Sequence, residues 1–374
     1  MRTNRKEIKA VIEQEPALDR VRVLAGDTSC YLVGGTVRDA LLGRPALDLD
    51  LAVDGPVADL ALRLDTDAVL HERFDTAEIE VDGRRIDLAR TRSERYARPG
   101  ALPVVEPARI EQDLTRRDFT INALAAPLAE PGEVIDPCGG IADLERRAIN
   151  VIQSNSFVDD PTRALRAARY AARLGFDLDH RAADLLPTVN LGSVSRERLE
   201  GELDLIAREP TALEALRLAT AWGLLTLPEA GFALLADAFE LLEKDTWADT
   251  TSRTAVLLEI AGRSTKSTTD NQLQYPGAPS LACSVAASMD PVALVLARAA
   301  GSEWLDQWIQ EWRQVSPEVS GNDLLAEGIP GGASIGVGLD AALVAALDQG
   351  VSDREEQLAI AVAAARTAQL REAP

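Results

Sequence analysis

Asp48 and Asp50 stand two residues apart in Leu47-Asp48-Leu49-Asp50-Leu51, a strictly alternating segment. In an extended strand this spacing puts both carboxylates on one face and the leucines on the other. Parallel carboxylates repel unless a cation bridges them, and a hard all-oxygen site suits Mg²⁺. A later alternation, Ile86-Asp87-Leu88, can bring a third carboxylate to the same cluster. Upstream, Gly34-Gly35-Thr36-Val37-Arg38-Asp39 joins an apolar run to a helical pattern. Two glycines let backbone approach a phosphate, the helix-opening N–H groups point at it, and Arg38 can grip its oxygens. Taken singly, the glycine pair reads as a plain turn and the two aspartates as the wet face of a strand. Together they are what metal-assisted nucleotidyl transfer needs: a cation to lower the pKa of an attacking 3′-hydroxyl and another to neutralise a triphosphate.

Two further groups have recognition chemistry. In Arg116-Arg117-Asp118-Phe119-Thr120-Ile121-Asn122, Arg117 supplies positive charge while Asp118 and Asn122 can bond a ribose hydroxyl. In Asp159-Asp160-Pro161-Thr162-Arg163, Asp160 and Arg163 are neighbours at the start of a helix. Facing a base edge, the carboxylate accepts from an exocyclic amine and the guanidinium donates to a ring nitrogen. Cytosine and adenine both offer that pair; uracil and guanine set a carbonyl oxygen against the carboxylate, which a buried site rejects. The same two residues could instead form an ordinary ion pair on an amphipathic helix.

These residues need particular elements beneath them. Thr28–Val33 predicts a strand, Val37–Leu42 a helix, and Glu78–Val81 with Arg85–Ala89 a hairpin turning at Asp82-Gly83. Arg90–Arg109, rich in charge and proline, predicts a mobile loop. From Ser156 onward the pattern is helical. In Ser195-Arg196-Glu197-Arg198, Ser195 suits a helix N-cap and Arg198 an i,i+4 pair with Glu202. The 374-residue chain is too long for one core, and its formal charge of −21 argues against a general nucleic-acid coat protein. Cys30, Cys138 and Cys283 are scattered, and His71 and His180 are its only histidines, which disfavours a disulfide framework and histidine-rich metal sites. No signal-like or membrane-spanning apolar run is present, so a soluble, cytoplasmic protein is expected.

Leu32 to Arg44, followed by Asp48-Leu49-Asp50, resembles the first motif of the bacterial and eukaryotic-type tRNA nucleotidyltransferases, the CCA-adding enzymes and bacterial poly(A) polymerases. The 116–125 segment resembles their ribose-recognition motif, Asp136–Leu144 a hinge-like motif and Asp159–Tyr170 their base-reading motif. The resemblance implies an α+β fold: a polymerase-β-like head with a small mixed or antiparallel sheet and helices, then an all-α neck, body and tail. Head, neck and body are expected at 1–150, 151–210 and 211–264, a linker at 265–280, and a tRNA-binding tail at 281–374. Its Mg²⁺ ligands fall on Asp48 and Asp50, with Asp87 as a third catalytic carboxylate. Its nucleotide contacts fall on Gly34, Gly35, Arg38, Arg117, Asp118, Asn122, Asp160, Arg163, Arg166 and Arg169.

The implied activity is template-independent addition of CMP and AMP to the tRNA 3′ end from CTP and ATP, releasing pyrophosphate, by a monomer or homodimer. An A-only enzyme, a poly(A) polymerase and a catalytically inactive RNA-binding protein are the alternatives. A full-length 90–109 segment speaks against a CC-only enzyme, in which it is shortened. Residues 211–374 hold 10 basic and 22 acidic side chains, so a tail binding tRNA would have a weak electrostatic grip. A salty cytoplasm that screens charge, or a GC-rich genome favouring Arg and Ala, would each account for this composition.

Overall fold

A computed structural model describes residues 2–45, 49–262 and 271–372. Asp48 and residues 263–270, which take in the end of the expected body and the first part of the expected linker, lie outside the described residues. The chain divides into two compact units, Met1–Leu225 and Thr226–Pro374.

The first unit is built on an eight-stranded sheet. Its strands are β1 (Arg2–Asn4), β2 (Cys30–Val33), β3 (Leu49–Val53), β4 (Val69–His71), β5 (Thr76–Val81) and β6 (Arg84–Arg90), then β9 (Ala125–Pro127) and β10 (Glu133–Ile135). Between them β7 (Arg92–Arg95) and β8 (Val104–Pro107) form a separate hairpin. The sheet order is β1-β10-β9-β2-β3-β6-β5-β4, antiparallel except where β3 runs parallel to β6. That pair carries the alternation seen in the sequence. Leu49, Leu51, Ile86 and Leu88 are buried in the main core, and Asp50 pairs in register with Asp87. Each fully buried leucine or isoleucine stabilises by about 1.5–3 kcal/mol, so a one-residue slip that exposed these faces is strongly disfavoured. The β5–β6 hairpin turns at Asp82-Gly83, both at positive φ, as the sequence predicts.

Helices α1 (Lys6–Gln14), α2 (Pro16–Ala25), α3 (Gly35–Leu41) and α4 (Ala58–Leu64) precede the 92–107 hairpin, and α5 (Ile110–Thr115) and α6 (Gly140–Arg146) follow it. Next come α7 (Ser156–Asp159), α8 (Thr162–Leu174), α9 (His180–Ala183), α10 (Arg196–Ala207) and α11 (Ala212–Ala221). The helical region keeps one strand contact, where β11 (Ala148–Ile149) pairs in parallel with β12 (Asp177–Leu178). Helix α8 buries Ala164, Leu165, Ala167, Ala168, Ala171 and Leu174, and α10 and α11 pack against it. Its small residues let those helices approach closely, while Arg166 pairs with Glu202 of α10 and Arg169 with Glu209 just beyond it.

The second unit is helical among the described residues: α12 (Glu229–Leu241), α13 (Arg253–Gly262), α14 (Pro279–Ala287), α15 (Pro291–Ala299), α16 (Trp304–Gln310), α17 (Gly321–Ala326), α18 (Ala333–Gln349) and α19 (Arg354–Glu372). Val319, Leu324, Ile329, Ala342, Ala361 and Ala365 form the small core shared by α17, α18 and α19.

Candidate active site

A cleft of about 420 Å³ opens in the first unit. One wall comes from the sheet. Strand β2 ends at Gly34, whose φ of +63° turns the chain into α3; a Cβ there would sit 2.9 Å from Arg117 Nη1 and 4.0 Å from Asp50 Oδ2. Only a bare glycine lets the turn, the Asp50 carboxylate and the Arg117 guanidinium meet so closely. Gly34, Gly35 and Asp50 all line the cleft.

The facing wall is helical. Asp160, Arg163, Arg166 and Tyr170 line it from the start and body of α8, and Arg198 from α10. Asp160 Oδ1 accepts from the Thr162 amide (3.1 Å) and hydroxyl (2.7 Å), fixing the first turn of α8. Arg163 Nη1 donates to Ser156 Oγ at 3.0 Å, and its Nη2 to the Arg116 carbonyl at 3.1 Å and to the Tyr96 hydroxyl. No ion pair joins Asp160 to Arg163, so the ordinary i,i+3 pair is not what these residues form.

The two walls are tied by a band of charge. Asp113 accepts from Arg116 at 2.7 Å and from Arg117 at 3.0 Å, and Arg116 also donates to Glu94 at 2.7 Å. The Tyr96 hydroxyl donates to Glu94 and accepts from Arg163. Asp118 accepts from Asn122 (3.2 Å) and Arg166 (3.1 Å), and Arg166 also pairs with Glu202. Burial works against ionising Asp113 and Asp118, yet the guanidiniums beside each hold both carboxyls below the usual range. Burial likewise disfavours charge on Arg166, but Asp118 and Glu202 more than restore it. Burial pushes the Tyr96 hydroxyl up to about 12, with Arg163 drawing it down and Glu94 up, so it remains a donor across the physiological range.

Gly34, Gly35, Arg117, Asp118, Asn122, Asp160, Arg163 and Arg166 are thus brought together. Asp87 is not in the cleft lining; it lies one strand away, with Arg85 Nε 3.6 Å from its Oδ1. Arg38 and Arg169 also stand outside the lining. Arg38 is 2% exposed, bidentate to Asp39 and 2.7 Å from Asn122 Oδ1. Arg169 donates to Glu209 at 3.1 Å. Each has its charge met by a neighbour, and both stack near the Tyr170 ring, at 5.2 and 4.8 Å, behind the lining residues.

Two sequence expectations are corrected. The 90–109 segment contains the β7–β8 hairpin, which sends Glu94, Tyr96 and Pro103 into the cleft. Neither Arg92-Ser93-Glu94-Arg95 nor Val104-Val105-Glu106 alternates between apolar and polar residues, so the sequence carried no strand signal there. Arg198 does not pair with Glu202, which Arg166 takes; it reaches Asp160 Oδ1 at 2.9 Å instead. Arg116 and Tyr170 were inside recognised segments without an assigned role.

Asp50 presents hard oxygen donors to the cleft, which suits a divalent cation. Among the described residues no cluster of three metal-binding side chains stands preassembled.

Residues 30–150 match the poly A polymerase head domain. The chain is 43% identical to the A-adding tRNA nucleotidyltransferase of Aquifex aeolicus over 198 residues, 50% of this chain and 24% of that protein. It is 42% identical to the CC-adding tRNA nucleotidyltransferase of Deinococcus radiodurans over 219 residues, 56% of this chain and 58% of that one. The chain spans less than two thirds of either relative. Among solved structures, an apo CCA-adding enzyme aligns over 96% of this chain and 98% of its own, with TM-score 0.79 and 24% identity. The Thermotoga maritima CCA-adding enzyme complexed with tRNA aligns over 97% and 99%, with TM-score 0.72 and 24% identity. The fold is therefore the expected one, a polymerase-β-like head followed by helices. No helix among the described residues is long and apolar enough to cross a membrane.

Proposed function

We propose that this chain, whose residues 30–150 belong to the poly A polymerase head-domain family, adds CMP and AMP to the 3′ end of tRNA from CTP and ATP, releasing pyrophosphate without a nucleic-acid template. The observation that carries this reading is one cleft with a phosphate-handling wall, Gly34, Gly35 and Asp50, facing a base-reading wall, Asp160, Arg163 and Arg166.

The chemistry follows from the walls. The glycine turn and Arg117 receive the triphosphate, and Asp118 and Asn122 bond the ribose. Asp50, with Asp48, would hold a divalent cation, Mg²⁺ by the character of its donors, which when bound makes the attacking 3′-hydroxyl more acidic and offsets triphosphate charge. Asp87 supports them from the neighbouring strand. All the protein contacts of Asp160 fall on Oδ1, so its Oδ2 remains to accept the exocyclic amine of cytosine or adenine. Arg163 still has donors at Nε and Nη1 for the ring nitrogen. Arg38 and Arg169 hold Asn122 and Tyr170 from behind.

An A-only activity is the second reading, favoured by the likeness to the A-adding relative. The hairpin that carries Glu94, Tyr96 and Pro103 into the cleft favours more than CC addition. The test offers the protein tRNA ending at the discriminator base, with CTP, ATP or both, and sequences the products. Complete CCA ends only when both nucleotides are present support the proposal. Extension only of tRNA already ending in CC establishes the A-only enzyme, and no extension of any tRNA rejects both.

A further inference from the structure

Resting on the reading of the substrate as tRNA, we propose that Tyr275, Trp304, Trp308 and Trp312 of the second unit form a stacking platform for unpaired RNA bases. Through it this unit holds RNA by ring contact rather than by charge. The chain is only 4% aromatic, yet three of its five tryptophans fall between positions 304 and 312. Trp304 and Trp308, four apart on α16, share one face of that helix, and Trp312 opens the turn Trp312–Gln314 that follows. Tyr275 meets them from the 271–278 segment. Its ring centroid lies 6.3 Å from that of Trp304 and 6.0 Å from that of Trp312, tilted against both. The Arg313 guanidinium lies 5.9 Å from the centroid of the Trp308 ring.

Packing alone does not account for this arrangement. The 271–278 segment is already held to α16 upstream of Tyr275: the Leu273 amide donates to Ser302 Oγ at 2.7 Å, and Trp304 Nε1 donates to the Leu273 carbonyl at 3.2 Å. Tyr275 lies beyond those bonds and is 44% exposed, and Trp308 and Trp312 are half-buried. Trp247 shows what a core tryptophan of the same unit is like: 1% exposed, with its Nε1 donating to Asp306 at 2.9 Å.

The chemistry of the patch selects its occupant. An exposed ring stacks on any nucleobase, and a guanidinium layered on an indole adds a cation for the base or its phosphate. The surrounding charge cannot do the same work. Residues 226–374 hold 9 basic and 21 acidic side chains, and Lys244, Arg253, Arg298 and Arg354 are each paired with a carboxylate. A polyanion therefore gains little from the field of this unit, whereas stacking on an unpaired base needs no net charge. Arg313, exposed beside Trp308, is the cation placed to meet the backbone of the stacked nucleotide. A basic peptide is the other chemistry that an acidic, aromatic surface suits, and the test separates the two.

The test measures Kd of the whole chain for a tRNA transcript ending in CC across a series of KCl concentrations, together with kcat for AMP addition at saturating tRNA. Tyr275→Leu and Trp308→Leu should each weaken binding by about 5- to 100-fold, the scale of one lost base–ring stack. Neither residue lines the cleft, so kcat should hold, which also shows that the variants are folded. Tyr275→Phe keeps the ring and should bind as the wild type does. The leucine variants should leave the slope of log Kd against log[KCl] unchanged, whereas Arg313→Gln should reduce it by about one. Leucine variants that bind tRNA with wild-type affinity overturn the inference alone and leave the patch to a basic peptide. Equal losses in Tyr275→Leu and Tyr275→Phe overturn it by making the hydroxyl the contact, and a flattened salt slope in the leucine variants overturns it by making charge the grip. A wild-type protein that neither binds nor extends tRNA overturns the function proposed above, and this inference with it.

Discussion

The two walls of the cleft are held by different physics. The sheet wall is fixed by backbone: strand register sets Asp50 beside Asp87, the buried leucines and isoleucines lock that register, and the Gly34 turn delivers the chain to α3. The helical wall and the band of charge that ties it to the sheet are fixed by side chains: Asp113, Glu94, Asp118 and Glu202 hold the arginines at 116, 117 and 166, and Arg198 holds Asp160. A backbone-built wall tolerates loss of a functional carboxylate without loss of structure. A wall of buried ion pairs does not, because removing one partner strands the other charge.

The widest separation of the walls should come from Asp50→Ala. Incorporation is expected to fall by about a thousandfold, equivalent to ~4 kcal/mol of transition-state stabilisation, with an unchanged melting profile. Retained turnover would reject the assignment of Asp50. On the other wall, Asp118→Ala leaves Arg166 without one of its two carboxylates and should lower unfolding free energy by about 3 kcal/mol in urea titration. A stability loss in Asp50→Ala equal to that of Asp118→Ala would erase the contrast between the walls.

Acid should separate them too. Asp113 and Asp118 have lowered folded-state pKa values. Their contribution to stability is therefore present above about pH 3.9, the unfolded aspartate value, and is lost as pH falls through the folded values. Asp118→Asn should flatten that acid limb of the stability profile; an unaltered limb counts against the ion-pair account. The smallest effect belongs to the hairpin surface, where Arg95→Met should cost less than about 1 kcal/mol because the Arg95–Glu106 pair is largely exposed.

The same difference explains how much was legible in the sequence. The sheet wall was readable because strand alternation is local: Leu49, Asp50 and Leu51 declare their faces within three residues, and Asp82-Gly83 declares its turn. Asp48 lies outside the described residues. The helical wall was half legible. Asp160 and Arg163 were identified as residues, but most of their partners come from segments far away in the chain: Tyr96 and the Arg116 carbonyl for Arg163, Arg198 for Asp160, with Ser156 the one nearby partner. Local spacing offered Arg198 a neighbour four residues on, Glu202, and tertiary packing gave that carboxylate to Arg166 instead. Arg38 shows the opposite error of scale. A first-turn arginine looks free for phosphate until Asp39 and Asn122 are seen to use its donors.

Protein side chains reading a base edge is the claim on which the division of labour between the walls depends. The most direct measurement compares CTP with its analogue lacking only the 4-amino group, as substrates for tRNA extension. With Asp160 intact, the analogue should be incorporated at least about 100-fold less efficiently, because a site built to bond an amine is left with an unpaired carboxylate. In Asp160→Ala the two should be used alike. Equal use of both by the wild-type protein would contradict the account.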